Sequence, residues 1–473
     1  MDQQLSLEQL SLKELNIDSK GLHINQFPNE ILDQIFTFLN LVDRKSVSRV
    51  CLRWSKLAFA PHFMQGVVLR PNGRVANRYF EKVIKQSERV YKNIDGTELL
   101  FLDYLLYLGP NLESFRYRSR NKDDLRKILR FSPNLKELRF DSCAYQIETE
   151  PMPVMKQLVN FTTMDTNLLM LEIEQMFPKL SKMSVRIYDH NGNTRMCEAL
   201  RHFGPQLDSL RIEVSKNSAA SIYQMRFPQL EKIFLSGYVV TINLKGFFSH
   251  LANLVEIYIG VPIFDGILEE ITKTCKKLQV LSFDVSGLRG SGLASLEQLP
   301  QLKSLEIFGD SFNTNVLTQC SKPIDTVLNL DIKDLRLYRE KDFISEFLSK
   351  IFPNTTNFVL RCDYSCKSLM IPHFPKMQEL TITSQFYLDI LNKLPGISTL
   401  KTLRILDTWN SPKQILADVI LSLLRRMPAL RFVELNEDLR FRMSKDLVCL
   451  IRQEFPQCVI QWTKTPHYFF NKF

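Results

Sequence analysis

Asn253-Leu254-Val255-Glu256-Ile257-Tyr258-Ile259 is followed by Lys277-Leu278-Gln279-Val280-Leu281-Ser282-Phe283, and each stretch sets one apolar residue three and five positions ahead of two more. The pattern runs from Leu112/Phe115/Tyr117 and Leu135/Leu138/Phe140 to Leu430/Val433/Leu435, with Ile332/Leu335/Leu337 among its fourteen occurrences and first positions 22 to 30 residues apart. Alternation over five residues predicts a half-buried strand, and the intervening segments, such as residues 123–130, read as helices. Such a unit leaves its apolar side open, so neighbours must stack to close a core. An apolar residue followed by proline at 177–178, 227–228, 299–300, 352–353, 374–375 and 427–428 ends each helix before the next strand. The fold class expected is α/β, a repeat solenoid with a parallel sheet on its concave face and helices outside.

Side chains alternate along a strand, so residues between and just after the apolar triplets face out of the sheet. In the first six repeats these include Arg116, Arg118, Arg139, Lys182, Arg186, Arg211 and Lys232 against Glu137, Asp141 and Glu213. Farther along, Phe234, Tyr258, Phe308 and Tyr338 fall in the same columns. Arginine and aromatic side chains dominate binding hot spots. The candidates for binding a partner are therefore Arg116, Arg118, Arg139, Arg186, Arg211, Phe234, Tyr258, Phe308 and Tyr338. The other reading, a solvated face whose charges keep the sheet soluble, stays open.

Ahead of the repeats lies Phe27-Pro28-Asn29-Glu30-Ile31-Leu32-Asp33-Gln34-Ile35-Phe36-Thr37-Phe38-Leu39. Pro28 suits a first helical turn and Glu30 the positive end of a helix dipole. Ile31, Leu32, Ile35, Phe36 and Leu39 gather into one apolar stripe. Asp43 can cap a second helix, along which Val47, Val50, Cys51, Trp54, Leu57 and Ala58 repeat with the helical period. The order and spacing of these residues resemble the F-box, with Phe27 where leucine is usual. The repeats resemble those of F-box proteins with leucine-rich repeats, whose period is 20–29 residues. The domains expected are an N-terminal arm at 1–23, an F-box at 24–64, a leucine-rich-repeat solenoid at 65–462 and an aromatic tail at 463–473.

The resemblance implies that Phe27, Pro28, Ile31, Leu32, Ile35 and Leu39 lie at or near the surface that docks on a Skp-type adaptor, with Trp54 locking the helices. It further implies a substrate-receptor subunit of an SCF-type ubiquitin ligase, joined through the adaptor to a cullin and holding an unknown client protein on its repeats. An F-box solenoid that binds or sequesters a partner without ubiquitin transfer is the alternative.

The 473 residues are 45% hydrophobic and 24% charged, ordinary for a globular protein, and the formal charge of +10 is a modest excess over this length. No apolar run is long enough to span a membrane, and the first residues lack a signal-peptide pattern. A cytoplasmic or nuclear location is expected, without membrane or nucleic acid as partner. Nine cysteines lie without zinc or disulfide spacing, and Cys362-x3-Cys366 has no second pair. The seven histidines are isolated, so no catalytic residue, metal or cofactor is expected. Gly287-Leu288-Arg289-Gly290-Ser291-Gly292 looks superficially like a phosphate loop, but no Lys-Ser/Thr follows, which leaves a glycine-permitted turn. Of the final residues, Val459 and Trp462 are expected to cover the last repeat.

Overall fold

The computed structural model describes residues 24–70, 82, 84–85, 87, 89–96, 102–119, 124–142, 152–163, 173–187, 190–214, 225–237, 244–309, 315–333, 341–362, 371–384, 387–406, 415–436 and 445–463. The chain divides into two compact units, Met1–Leu138 and Arg139–Phe473. The N-terminal arm, Tyr338 and the tail beyond 463 lie outside the described residues.

The first unit opens with four helices, α1 (Asn29–Thr37), α2 (Leu41–Val47), α3 (Leu52–Ala58) and α4 (Pro61–Met64). It continues with β1 (Val68–Leu69), β2 (Asn93–Gly96) and β3 (Ser114–Ser119), joined in parallel. The boundary between the units falls within β4 (Glu137–Ser142). In the second unit follow β5 (Asn160–Thr163), β6 (Lys182–Ile187), β7 (Ser209–Val214), β8 (Lys232–Gly237), β9 (Glu256–Pro262), β10 (Val280–Asp284) and β11 (Ser304–Phe308). Then come β12 (Asn329–Lys333), β13 (Asn357–Cys362), β14 (Glu379–Ser384), β15 (Thr402–Leu406), β16 (Phe432–Asn436) and β17 (Val459–Thr463). The described residues thus build a parallel sheet of 17 strands, the α/β repeat solenoid that the period of the sequence predicts.

Stacking places like residues over like. Ile257 and Ile259 of β9 register with Leu281 and Phe283 of β10, and these with Leu305 and Ile307 of β11, all at most 2% exposed. The helix Asp265–Thr274 closes this core with Ile267, Leu268, Ile271 and Thr272, spaced to share one face. Amide side chains just before the first core residue staple adjacent repeats. Asn134, Gln206, Asn253 and Asn354 each donate to a backbone carbonyl one repeat earlier, at Pro110, Pro178, Pro228 and Asp325. Each staple satisfies a carbonyl that the proline-containing turn leaves without a helical partner.

Two expectations are corrected. The buried residues of β12 are Leu330 and Ile332, with Val327 ahead of them, so Ile332 closes its triplet instead of opening one. The same spacing occurs twice in succession, as Val327/Leu330/Ile332 and Ile332/Leu335/Leu337, so spacing alone allows either window; pairing of Leu330 with Leu305 and Ile332 with Ile307 selects the earlier one. At the far end, Val459 begins β17 and is 59% exposed, so it covers nothing. Trp462, half-buried opposite Leu435, is the residue placed over the last core layer.

The glycine-rich loop is filled by the protein's own anion. Asp265 accepts backbone hydrogen bonds from Arg289 and Gly290 at 3.0 Å through Oδ2 and from Gly292 at 2.8 Å through Oδ1. Three of the loop's N–H groups are thereby satisfied internally.

Candidate functional site

Residues 24–64 build a small closed core. Leu32, Phe36, Trp54 and Ala58 are buried together, with Phe27, Ile35, Leu39, Val47, Leu57, Phe59 and Phe63 packed against them. Phe36 and Trp54 meet edge to face, ring centres 5.6 Å apart. Leu32 is fully buried and Trp54 7% exposed, so both belong to this closed core. Pro28 is exposed, whereas Phe27, Ile31, Ile35 and Leu39 are half-buried.

The helices differ from their expected bounds for local reasons. Asn40, not Asp43, caps α2, its Oδ1 accepting from Val42 and Asp43 at 2.8 and 3.1 Å while its Nδ2 donates to Asp43. Cys51 then takes an extended backbone and caps α3 through its sulfur, so the expected single helix is two. That break turns Val50 and Cys51 outward, off the buried stripe. Arg53, unremarkable in the sequence, ties the start of the segment by donating to Asn29 Oδ1 and to the carbonyls of Asn25 and Phe27.

What remains exposed here is apolar. Among the described residues, five of the fourteen exposed large hydrophobic side chains lie between residues 24 and 52, namely Ile24, Phe38, Val42, Val50 and Leu52. Phe38 is 88% and Leu52 84% exposed. They cannot serve the core of the segment, and a concentration of exposed apolar residues marks an interaction surface.

On the sheet, Arg116 and Arg118 of the first unit are exposed, with Arg116 3.9 Å from Asp95. In the second unit Arg139 pairs with Asp141 at 3.4 Å and Arg186 with Glu213 at 2.5 Å, while Arg211 lies 4.2 Å from the ring centre of Phe234. Phe234 stacks on Tyr258 at 6.1 Å. Phe308 is half-buried at the end of β11. The column position that the spacing gives to Tyr338, one residue past the triplet as Phe308 is, belongs to Lys333, which lies opposite Phe308, since β12 is the earlier window.

The basic excess expected on this face is largely balanced across strands. Lys232 pairs with Glu256, Lys333 with Glu306, Arg361 with Asp331, and Arg404 with both Glu379 and Glu434. Burial pushes the Asp331 carboxyl up to about 6; Arg361 and Lys333 oppose that rise and Glu306 adds to it. A carboxyl raised above its unfolded value of 3.8 holds its proton longer in the folded state, so its ionisation costs stability above about pH 6. That cost, about 2–3 kcal/mol, is relieved as pH falls from about 6 toward 3.8. Asp331→Asn should therefore gain stability relative to the native chain as pH rises from about 4.5 to 7, read as urea midpoints. A difference that does not change with pH would contradict the assignment.

An F-box-like family model matches residues 24–70. None of the curated proteins matches this chain. Among solved structures, the crystal structure of the Rad7 and Elc1 complex in yeast aligns over 91% of this chain and 92% of that chain, at 11% identity and a TM-score of 0.39. The TLR13–ssRNA13 complex aligns over 73% of this chain and 55% of that one, at 13% identity and a TM-score of 0.38. Both scores are below 0.5, so the fold assignment rests on the sheet and the repeats. The matched segment, with its buried Phe36–Trp54 pair, is an F-box-like domain at residues 24–70, and the repeating strands that follow continue it as an α/β repeat solenoid.

Proposed function

We propose that this chain is the substrate receptor of an SCF-type ubiquitin ligase. Its F-box-like domain docks on a Skp-type adaptor, the adaptor connects it to a cullin, and the open face of the repeats holds a client protein. The observation that carries the reading is the exposed apolar set Phe38, Val42, Val50 and Leu52 on a helical segment whose own core is already closed. Pro28, Phe27, Ile31, Ile35 and Leu39 border or support that surface, and Leu32 and Trp54 fix the helices beneath it. The chain itself needs no reacting group in this role. A conjugating enzyme supplies the ubiquitin thioester, and holding the client beside it raises the effective concentration of the two reactants.

Affinity purification of the full chain beside a chain lacking residues 24–70 tests this. Adaptor and cullin are expected only with the full chain, and proteins bound through the repeats with both. Recovery of the adaptor without residues 24–70 would overturn the reading.

A further inference from the structure

The exposed apolar set of the F-box-like domain encloses a hydroxyl. Ser46 is exposed on α2, four residues after Val42, which is 70% exposed, and four before Val50, which is 57% exposed. Residues four apart on a helix are neighbours, and Ser46 Oγ donates to the Val42 carbonyl oxygen at 3.2 Å. Ser48, two residues on, is half-buried and donates instead to the Lys45 carbonyl at 2.8 Å.

The chain around this hydroxyl is basic. Arg44-Lys45-Ser46-Val47-Ser48-Arg49 sets three cations within three residues of Ser46, against one carboxylate, Asp43. Lys45 and Arg49 are exposed, while Arg44 is half-buried and donates to the Phe63 carbonyl at 3.2 Å. Kinases choose their substrates by charge pattern, and this pattern suits a kinase with an acidic peptide groove. Such a groove takes an extended peptide, which α2 is built to supply. It has seven residues, none of them buried. A helix that short is marginal by itself, and an element with few buried contacts opens at low free energy.

We propose that Ser46 is a phosphorylation site for a protein kinase directed to basic sequences, and that the phosphate blocks adaptor docking. This rests on the exposed apolar set being the adaptor surface. In the transfer, Ser46 Oγ attacks the γ-phosphorus of ATP; the Oγ–P bond forms as the bond to the ADP oxygen breaks, and the hydroxyl proton passes to the kinase's base. The product carries a charge of about −1.5 to −2. That charge stands between Val42 and Val50, where burial against an apolar partner is costly. It also removes the proton that Ser46 gives to the Val42 carbonyl and puts an anion near the negative end of the α2 dipole. Lys45 and Arg49 offset little of this, because exposed ion pairs are weak.

The test uses the purified full-length chain. With ATP and the catalytic domain of protein kinase C, mass spectrometry is expected to find phosphate on Ser46. A chain given phosphoserine at position 46 during translation should bind the adaptor roughly thirtyfold more weakly than the unmodified chain, and phosphatase should restore it. Kinase treatment should not change the affinity of Ser46→Ala, and phosphoserine at Ser349, on the helix Lys341–Ile351, should leave docking whole. Amide exchange across α1 and α3 should stay unchanged, so that docking is lost and not folding. Full-strength binding by the phosphoserine-46 chain, a native chain left unmodified at Ser46, or exchange that opens α1 and α3 would each overturn the proposal. If the unmodified chain captures adaptor and phosphate changes nothing, only this proposal falls; if the unmodified chain captures none, the receptor reading falls.

Discussion

Phe38→Lys combined with Leu52→Asp is expected to weaken adaptor binding at least a hundredfold, about 3 kcal/mol, without unfolding the protein. The two side chains are 88% and 84% exposed, so the free chain loses little by their replacement. Each new charge also suits its helix end, a cation at the C-terminal cap of α1 and an anion at the first residue of α3. Burying either charge in an apolar interface without a partner costs several kcal/mol. Ile31 and Ile35 are poorer choices for the same test. Ile35 packs on the core of Leu32, Phe36, Trp54 and Ala58, and a charge there would unfold the domain and mimic a lost contact. Titrating adaptor against the double variant, with thermal unfolding measured beside it, checks the prediction; full-strength binding by a folded variant would remove the docking assignment.

Gly287→Ala should cost about 3 kcal/mol or more, whereas Gly290→Ala, three residues later, should be neutral or slightly stabilising. A methyl at Gly287 would lie 2.3 Å from the carbonyl oxygen of Ile263 and 2.9 Å from its carbon. Both are backbone atoms of the adjoining repeat and cannot swing away. At Gly290 the closest atom, Asp265 Oδ2, is 3.7 Å away, an ordinary contact. There the smaller freedom of the unfolded chain favours alanine. The comparison keeps loop and chemistry constant, and equal unfolding midpoints for the two variants would contradict the packing described around the loop.

Much of this architecture is legible in the chain because stacking converts spacing into burial. Leu254, Ile257 and Ile259 are all fully buried, and so are Leu278, Leu281 and Phe283. The F-box resemblance likewise rests on Phe36 and Trp54, whose separation of 18 residues is closed by the two helix breaks between them. What spacing does not carry is partnership between strands. Spacing could not choose between the two windows around Ile332, because the triplet pattern fits both until a neighbouring strand fixes register. Counting charges along the first six repeats likewise missed Asp95, Glu256 and Glu306, which balance arginines and lysines from neighbouring repeats. The exposed apolar set hid for the opposite reason. Apolar residues read as core, yet the break at Cys51 leaves Val50 and Leu52 in solvent.

Ubiquitin transfer measures the central claim most directly. Proteins captured through the repeats are incubated with activating and conjugating enzymes, adaptor and cullin, in the presence of the native chain or the Phe38→Lys/Leu52→Asp variant. The account predicts ubiquitin on a captured client with the native chain and none with the variant, although both hold the client equally well. A client that is bound and never modified by the native chain, or modified equally with the variant, would contradict it.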